Sequence, residues 1–202
     1  MTAIVFVGGS RKITTMTSAV AARLQNIIDA GHQVVVGDAN GADRLAQVFF
    51  FEQRYRDVRV FCSGECRNNV GQWPIVTIVP KAKRKDFQYF AAKDRALAVE
   101  ATIGLMLWDG ESAGTLMNAT RLVAQAKPVV IYQRSTKAFI TIRSQEDLAA
   151  LLATIPSDLA TKISAEAALE AGEPQADLFG APPARKKPTR KRAGETTAAE
   201  PR

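Results

Sequence analysis

Residues 102–118, T-I-G-L-M-L-W-D-G-E-S-A-G-T-L-M-N, constrain the fold of this chain more than any other stretch. Ile103 to Trp108 form an unbroken apolar run of the length expected for a strand buried on both faces. The run breaks into a loop of small and polar residues, Asp109 to Thr115, and then resumes with Leu116, Ala119, Thr120, Val123 and Ala124 at helical spacing. The unit is strand, glycine loop, helix. Amides in the first turn of such a helix have no internal partner, and the macrodipole adds partial positive charge there, so the loop suits an anion. Gly110 and Gly114 let the backbone turn and approach closely, and Ser112 and Thr115 add hydroxyl donors, so phosphate is the expected guest. A tight turn in which Ser112 or Thr115 merely caps the helix accounts for the same residues.

The rest of the chain repeats the unit. Apolar runs at residues 3–7, 33–36, 58–61, 75–79 and 128–132 read as strands, and helical patterns fill residues 16–30, 42–54 and 84–100, with Phe87, Phe90, Ala91, Leu97 and Ala98 inward on the last. A small strand at 139–142 and a helix at 145–152 close the pattern. Alternating strands and helices require crossover connections, which gives an α/β fold with a mainly parallel sheet covered on both faces. Residues 1–155 read as one domain, 156–171 as a helical extension centred on 159–170, and 172–202 as a disordered tail rich in proline, alanine and charge.

Charge sorts the chain the same way. Of the net +7, a surplus of five lies in residues 181–202, which leaves the first 180 residues near neutral. No window has the apolar length of a membrane span and the N-terminus enters a strand at once, so a cytoplasmic protein without membrane partners is expected. Cys62 and Cys66 are too few for a disulfide framework, and with His32 as the single histidine a metal site has few ligands to recruit; a reduced, unligated pair, no metal and no cofactor are expected.

Three small-residue loops follow strands directly: Gly8-Gly9-Ser10-Arg11, Gly37-Asp38-Ala39-Asn40-Gly41-Ala42-Asp43, and the loop of residues 109–115. In an open parallel sheet all three lie on the carboxyl edge, where ligands bind. Neither of the first two has the spacing of a dinucleotide G-x-G-x-x-G or of a phosphate loop ending in G-K-[ST], which disfavours ordinary dehydrogenases and nucleoside triphosphatases.

Taken together, V-G-G-S-R near the start, V-G-D-A-N-G-A-D-R-L-A after the second strand and K-D-R-A-L-A-V-E-A-T-I-G-L-M-L-W-D-G-E-S-A-G-T resemble the SLOG superfamily. Within it the likeness is greatest to small bacterial proteins with a G-S-R signature and a W-D-G-x-S-x-G-T loop, and it spans residues 4–132. The resemblance implies a Rossmann-like fold that binds nucleotides or nucleotide-derived ligands. The superfamily includes cytokinin-activating phosphoribohydrolases, DNA-processing protein A and sensor domains for nucleotide signals, and its members often pair, which implies a homo-oligomer. Carried over by motif, the ligand contacts are Gly9, Ser10 and Arg11; Gly37, Asp38, Asn40, Gly41 and Asp43; and Asp109, Gly110, Ser112, Gly114 and Thr115. Ser112, Thr115 and the neighbouring amides would hold phosphate, with Arg11 supplying a charged fork. Asp38 or Asp43 would accept from ribose or base, although Asp43 also suits a helix cap.

One departure bears on chemistry. The phosphoribohydrolases carry P-G-G-x-G-T-x-x-E and use the glutamate in cleaving the base–ribose bond, and here that position is Asn118. An amide is neither a nucleophile nor an ordinary general base. Asn118 can still hydrogen-bond a ligand, so binding is favoured over glycosidic hydrolysis. The expected role is a sensor or accessory protein near DNA. Two rivals stay open: an N-glycosidase or phosphoribohydrolase drawing a carboxylate from Asp38, Asp94, Asp109 or Glu111, and a DNA-binding accessory protein resembling DNA-processing protein A.

Asn68, Asn69 and Trp73 could cover a base or sugar, or Trp73 could pack against the domain, while Lys93 either reaches the cleft or lies on a solvated helix face. In the tail, Gln175, Asp177, Leu178 and Phe179 resemble the peptide by which bacterial replication proteins dock on the DNA sliding clamp; folding back of Leu178 and Phe179 on the domain is the alternative. The basic blocks Arg185-Lys186-Lys187 and Arg190-Lys191-Arg192 suit nonspecific contact with nucleic acid.

Overall fold

The structure is a computed structural model that describes residues 2–80 and 87–172. The sliding-clamp peptide at 175–179 and the basic blocks therefore lie outside the described residues. Strands β1 (Ile4–Gly9), β2 (Gln33–Gly37), β3 (Val58–Ser63), β4 (Ile75–Ile78), β5 (Ile103–Trp108), β6 (Val129–Gln133) and β7 (Ala138–Ile142) form one sheet in the order β4-β3-β2-β1-β5-β6-β7. Every pairing is parallel except β6 with β7, where a short hairpin adds an antiparallel edge. The chain runs outward from β1 to β4, then returns to place β5 beside β1. Strand order thus reverses between β1 and β5, and the loops leaving those two strands meet at the crevice such a reversal opens.

Alternation along the strands explains the layers. On β1, Val5 and Val7 face a core shared with Val20, Leu24, Ala46 and Phe50 of α1 (Ser18–Asp29) and α2 (Ala42–Glu52), while Phe6 faces the opposite side. That opposite core holds Met106 and Trp108 of β5 together with α3 (Phe87–Glu100), α4 (Ala113–Ala124), α5 (Gln145–Leu152) and α6 (Ser157–Gly172). Central strands buried on both faces read as continuous Val, Ile and Leu runs for this reason. The last helix is not a loose extension: Ile163 is fully buried in the second core, with Leu159 and Ala167 packed beside it.

One expectation is corrected here. Cys62, at the end of β3, and Cys66, in the loop that follows, form a disulfide, with Cα atoms 5.1 Å apart, in place of the reduced pair expected from their small number. The chain bends sharply after β3 and folds Cys66 back over Cys62, a proximity that cysteine counting does not register. Among the described residues, no helix is long and apolar enough to cross a membrane.

Candidate functional site

The loops that leave β1, β2 and β5 do meet, and they are knotted together by one residue. Ser10 donates its amide to the Leu107 carbonyl at 2.9 Å, accepts from the Ala42 amide at 3.0 Å, and donates its hydroxyl to Asp109 at 2.6 Å. Its hydroxyl also accepts from the Lys12 amide, so Ser10 is held as a structural tie between three loops, although it was expected as a ligand donor. Close approach of the first two loops depends on Gly41, whose φ of +76° is left-handed and whose missing Cβ would collide with the backbone of Arg11. Gly41→Ala is therefore expected to cost about 2–3 kcal/mol from strain and displacement of Arg11, read as a lowered thermal midpoint.

The third loop is built around Asp109. Its carboxylate accepts the amides of Glu111 and Ser112 at 3.1 and 2.8 Å as well as the Ser10 hydroxyl. Burial opposes ionisation of Asp109, but these hydrogen bonds outweigh it and hold the acid below the usual carboxylate range. Ser112 then caps α4, accepting from the Thr115 amide, and the Thr115 hydroxyl is spent on Ser112 at 3.0 Å. The Thr115 proton is thus spent within the turn, whereas Ser112 accepts twice and keeps its own hydroxyl proton to donate. What the loop leaves for an anion is that Ser112 proton and the amides of Ala113 and Gly114 in the first helical turn, which have no helical carbonyl to bond. A Cβ on Gly114 would meet nothing within 4 Å, so this turn faces open space.

These loops enclose a cavity of about 640 Å³. Gly9, Ser10, Arg11 and Lys12 line it from the first loop, Ala39 and Asp43 from the second, and Asp109, Glu111, Ser112, Gly114 and Thr115 from the third. Asn118 extends the α4 wall, and α3 contributes Phe90, Ala91, Lys93 and Asp94. Of the expected contacts, Gly37, Asp38, Asn40, Gly41, Gly110, Asn68, Asn69 and Trp73 are not on the lining.

Four of these are engaged by the protein itself. Asp38 is fully buried and its carboxylate is consumed by Arg67, which donates its backbone amide at 3.1 Å, Nε at 3.0 Å and a terminal nitrogen at 2.6 Å. Burial works against its charge, yet Arg67 and Lys93 keep its pKa below normal. Asp38 anchors the loop after β3. Asn68 and Asn69 belong to that anchorage too, bonding the Asp38 carbonyl and the Trp73 backbone. Trp73 itself is 8% exposed, lies in the α1–α2 core and donates its ring nitrogen to the Tyr55 carbonyl, so it is not a lid over a base. Gln47, unremarked in the sequence, holds the same loop by bonding Gly37, Asn68 and Val70.

Under the cavity sits a cluster of charge. Lys93 is 4% exposed, with Nζ 2.7 Å from Asp94, 3.9 Å from Asp43 and 4.0 Å from Asp38. Burial pulls its pKa down, but the three carboxylates more than offset this and keep it protonated. Asp94 is half-buried; burial opposes its charge, but Lys93, Arg121 and the Asn118 side chain outweigh this and hold its pKa below the usual carboxylate range. Asp43 fares differently: burial, together with Asp94 and Asp38, pushes it up to about 6 against the pull of Lys93. Its oxygen accepts the Ala39 amide at 3.2 Å and it makes no cap to its own helix. Lys93 is thus neither solvated nor free to bind phosphate. The groups that remain to meet a ligand's charge are Arg11 and Lys12, and Lys12 is paired with Glu111 across the cavity mouth at 2.5 Å.

Phe90 was expected inside the core but stands half-buried at the cavity wall, with the guanidinium of Arg11 5.4 Å and that of Arg67 4.7 Å from its ring centre. Helical spacing shows that Phe90 lies on the apolar face of α3, not that this part of the face lines a cavity. One further group of potential metal ligands, Asp38 with Cys62 and Cys66, lies within 4.8 Å, but the sulfurs are bonded to one another and Asp38 is engaged by Arg67. That cluster is a structural one.

No family model matches the sequence, and no curated protein matches it. Among solved structures the chain is similar to DNA processing protein A from Helicobacter pylori, a protein described for its single-stranded DNA binding mode, with a TM-score of 0.50 and 14% identity over 83% of this chain and 80% of that one. The fold is Rossmann-like. The cavity occupies the place where Rossmann-like sheets take their ligands, outside the carboxyl ends of the strands flanking the reversal.

Proposed function

We propose that the cavity binds a phosphorylated nucleoside derivative: a nucleotide, an ADP-ribose-like molecule or a cyclic nucleotide signal. The observation that carries this reading is that three strand-following loops line one cavity of about 640 Å³, within the range of small-ligand sites, with the open first turn of α4 on one wall and an aromatic ring on another. The phosphate lies against the Ala113 and Gly114 amides with Arg11 as its counter-charge, and the base stacks on Phe90 in the place now covered by Arg11. Binding rather than hydrolysis is favoured because Asn118 stands where the related phosphoribohydrolases carry a glutamate.

The test is calorimetry of the full chain against adenosine 5′-monophosphate and ADP-ribose, preceded by mass spectrometry of small molecules released from the purified protein. Arg11→Ala is expected to lose about 1.5–3 kcal/mol of affinity, the value of a hydrogen bond to a charged group. A Cβ at position 114 meets no protein atom within 4 Å, so Gly114→Ala puts a methyl group where the phosphate would lie and is expected to weaken binding without lowering the thermal midpoint. Unchanged affinity in both variants would refute the assignment.

A second reading is single-stranded DNA, favoured by the likeness to DNA processing protein A. It predicts salt-sensitive binding of an oligonucleotide that adenosine 5′-monophosphate displaces, because both would claim the same phosphate turn. An oligonucleotide that stays bound when the nucleotide saturates the cavity counts against it.

A further inference from the structure

A relay of charged hydrogen bonds ties the α4 wall of the cavity to the last helix. Glu170 of α6 takes Arg121 of α4 in a two-pronged grip, 2.9 Å from Nε and 2.6 Å from one terminal nitrogen, and Arg95 of α3 reaches the same carboxylate at 3.2 Å. Burial opposes the charge on Glu170, and the two arginines overcome it. Arg121 is itself buried, and its other terminal nitrogen donates to the side-chain oxygen of Asn118 at 2.6 Å. Asn118 is buried and lines the cavity.

The consequence is orientational. With its oxygen turned to Arg121, Asn118 presents its NH2 group on the other side, where it helps keep the Asp94 carboxyl below its usual pKa. An asparagine amide is nearly symmetric in shape, so nothing but its partners fixes which end faces where. Here a guanidinium, which can only donate, forces the donor end inward. Arg121 in turn is held on its other edge by Glu170.

We propose that Glu170 is a positioning residue of the cavity: by holding Arg121 it holds the Asn118 amide with its NH2 toward the ligand, and it thereby couples docking of α6 to occupancy of the site. The proposal rests on the nucleotide-binding reading and adds to it a residue distant in sequence from every loop of the site. Coupling of this kind is reciprocal, so a ligand that draws on the Asn118 NH2 tightens the hold on α6 by the same factor that Glu170 contributes to affinity. Apart from the relay, α6 packs through Leu159, Ile163 and Ala167, all of them before its last turn, which leaves Glu170 as the grip on that turn.

The experiment is a double-mutant cycle on the full chain, with affinity for adenosine 5′-monophosphate measured by calorimetry. Glu170→Gln is expected to weaken binding about tenfold, and Asn118→Ala by a similar factor, whereas the double variant is expected to bind no more weakly than Asn118→Ala alone. A purely structural role for Glu170 gives multiplied losses in the double variant and overturns the proposal. A second measurement needs no variant: hydrogen exchange of the α6 amides in the wild-type chain is expected to slow several-fold when the nucleotide saturates the site, and unchanged exchange overturns the coupling. A wild-type chain that binds neither adenosine 5′-monophosphate nor ADP-ribose defeats the nucleotide reading and this proposal with it, while binding with multiplied losses defeats this proposal alone.

Discussion

Lys93→Met is expected to destabilise the protein by about 3–5 kcal/mol at neutral pH, the cost of breaking a buried ion pair by removing one partner. Methionine keeps the length and apolar stem of lysine, so the loss comes from the ammonium and not from a void. Three carboxylates face the site that Nζ vacates, and they are not equally provided for. Asp38 keeps Arg67, and Asp94 keeps Arg121 and Asn118. Asp43 keeps only the Ala39 amide, so it should take up a proton at neutral pH. Urea unfolding at pH 7 measures the loss. Adding Asp43→Asn to Lys93→Met should restore part of it, because the variant then carries one fewer unpaired acid. A loss below about 1 kcal/mol, or no recovery in the double variant, would show that water enters the cluster and supports the carboxylates instead.

The sheet was largely legible because its central strands are buried on both faces. Val34, Val35 and Val36 in β2 and Leu105, Met106 and Leu107 in β5 are all fully or almost fully buried, and such runs stand out in a sequence without help from periodicity. Strand ends were less visible. β3 runs on through Cys62 and Ser63 because those residues pair with Thr77 and Ile78 of β4, and a partner strand leaves no mark on the residues it pairs with. The last helix was hard to read for a related reason: it buries one residue fully, Ile163, and is held for the rest by partial contacts and by Glu170.

The three loops were legible as a set, since each follows a strand and topology alone sends them to one edge. What the donors in those loops do was not. Sequence gives the residue types, and Ser10, Asp38 and Thr115 are all of a type that could meet a ligand, yet protein partners already claim each of them. Trp73 and Phe90 make the same point in opposite directions. The tryptophan in the polar loop turns into the α1–α2 core, and the phenylalanine on the apolar face of α3 comes to the cavity wall beside Arg11 and Arg67. An aromatic ring is drawn to whichever apolar surface lies near it, and only the tertiary arrangement says which that is.

Asp43→Asn is expected to remove a pH dependence of stability amounting to about 3 kcal/mol. The folded chain raises the Asp43 pKa from 3.8 to about 6, mainly because burial disfavours its charge. A group whose folded pKa lies above its unfolded one contributes stability that is complete below the unfolded value and is lost as pH rises through the folded value. For Asp43 the window is therefore between about pH 4 and pH 6, with stability falling as pH rises, and a difference of roughly two pKa units is worth about 3 kcal/mol across it. The neighbouring acids Asp38, Asp94 and Asp109, and Glu170 on α6, have lowered pKa values and act with the opposite sign: their contribution is present above the unfolded carboxylate pKa and is lost as acid is added. Total stability mixes the two, so the difference between Asp43→Asn and wild type is the quantity to follow. Asparagine keeps an acceptor for the Ala39 amide and cannot ionise. Measured by urea unfolding, the two chains should be of similar stability near pH 4 and diverge in favour of the variant up to pH 7. Curves that stay parallel across that range would mean Asp43 is charged throughout, with Lys93 compensating its burial in full.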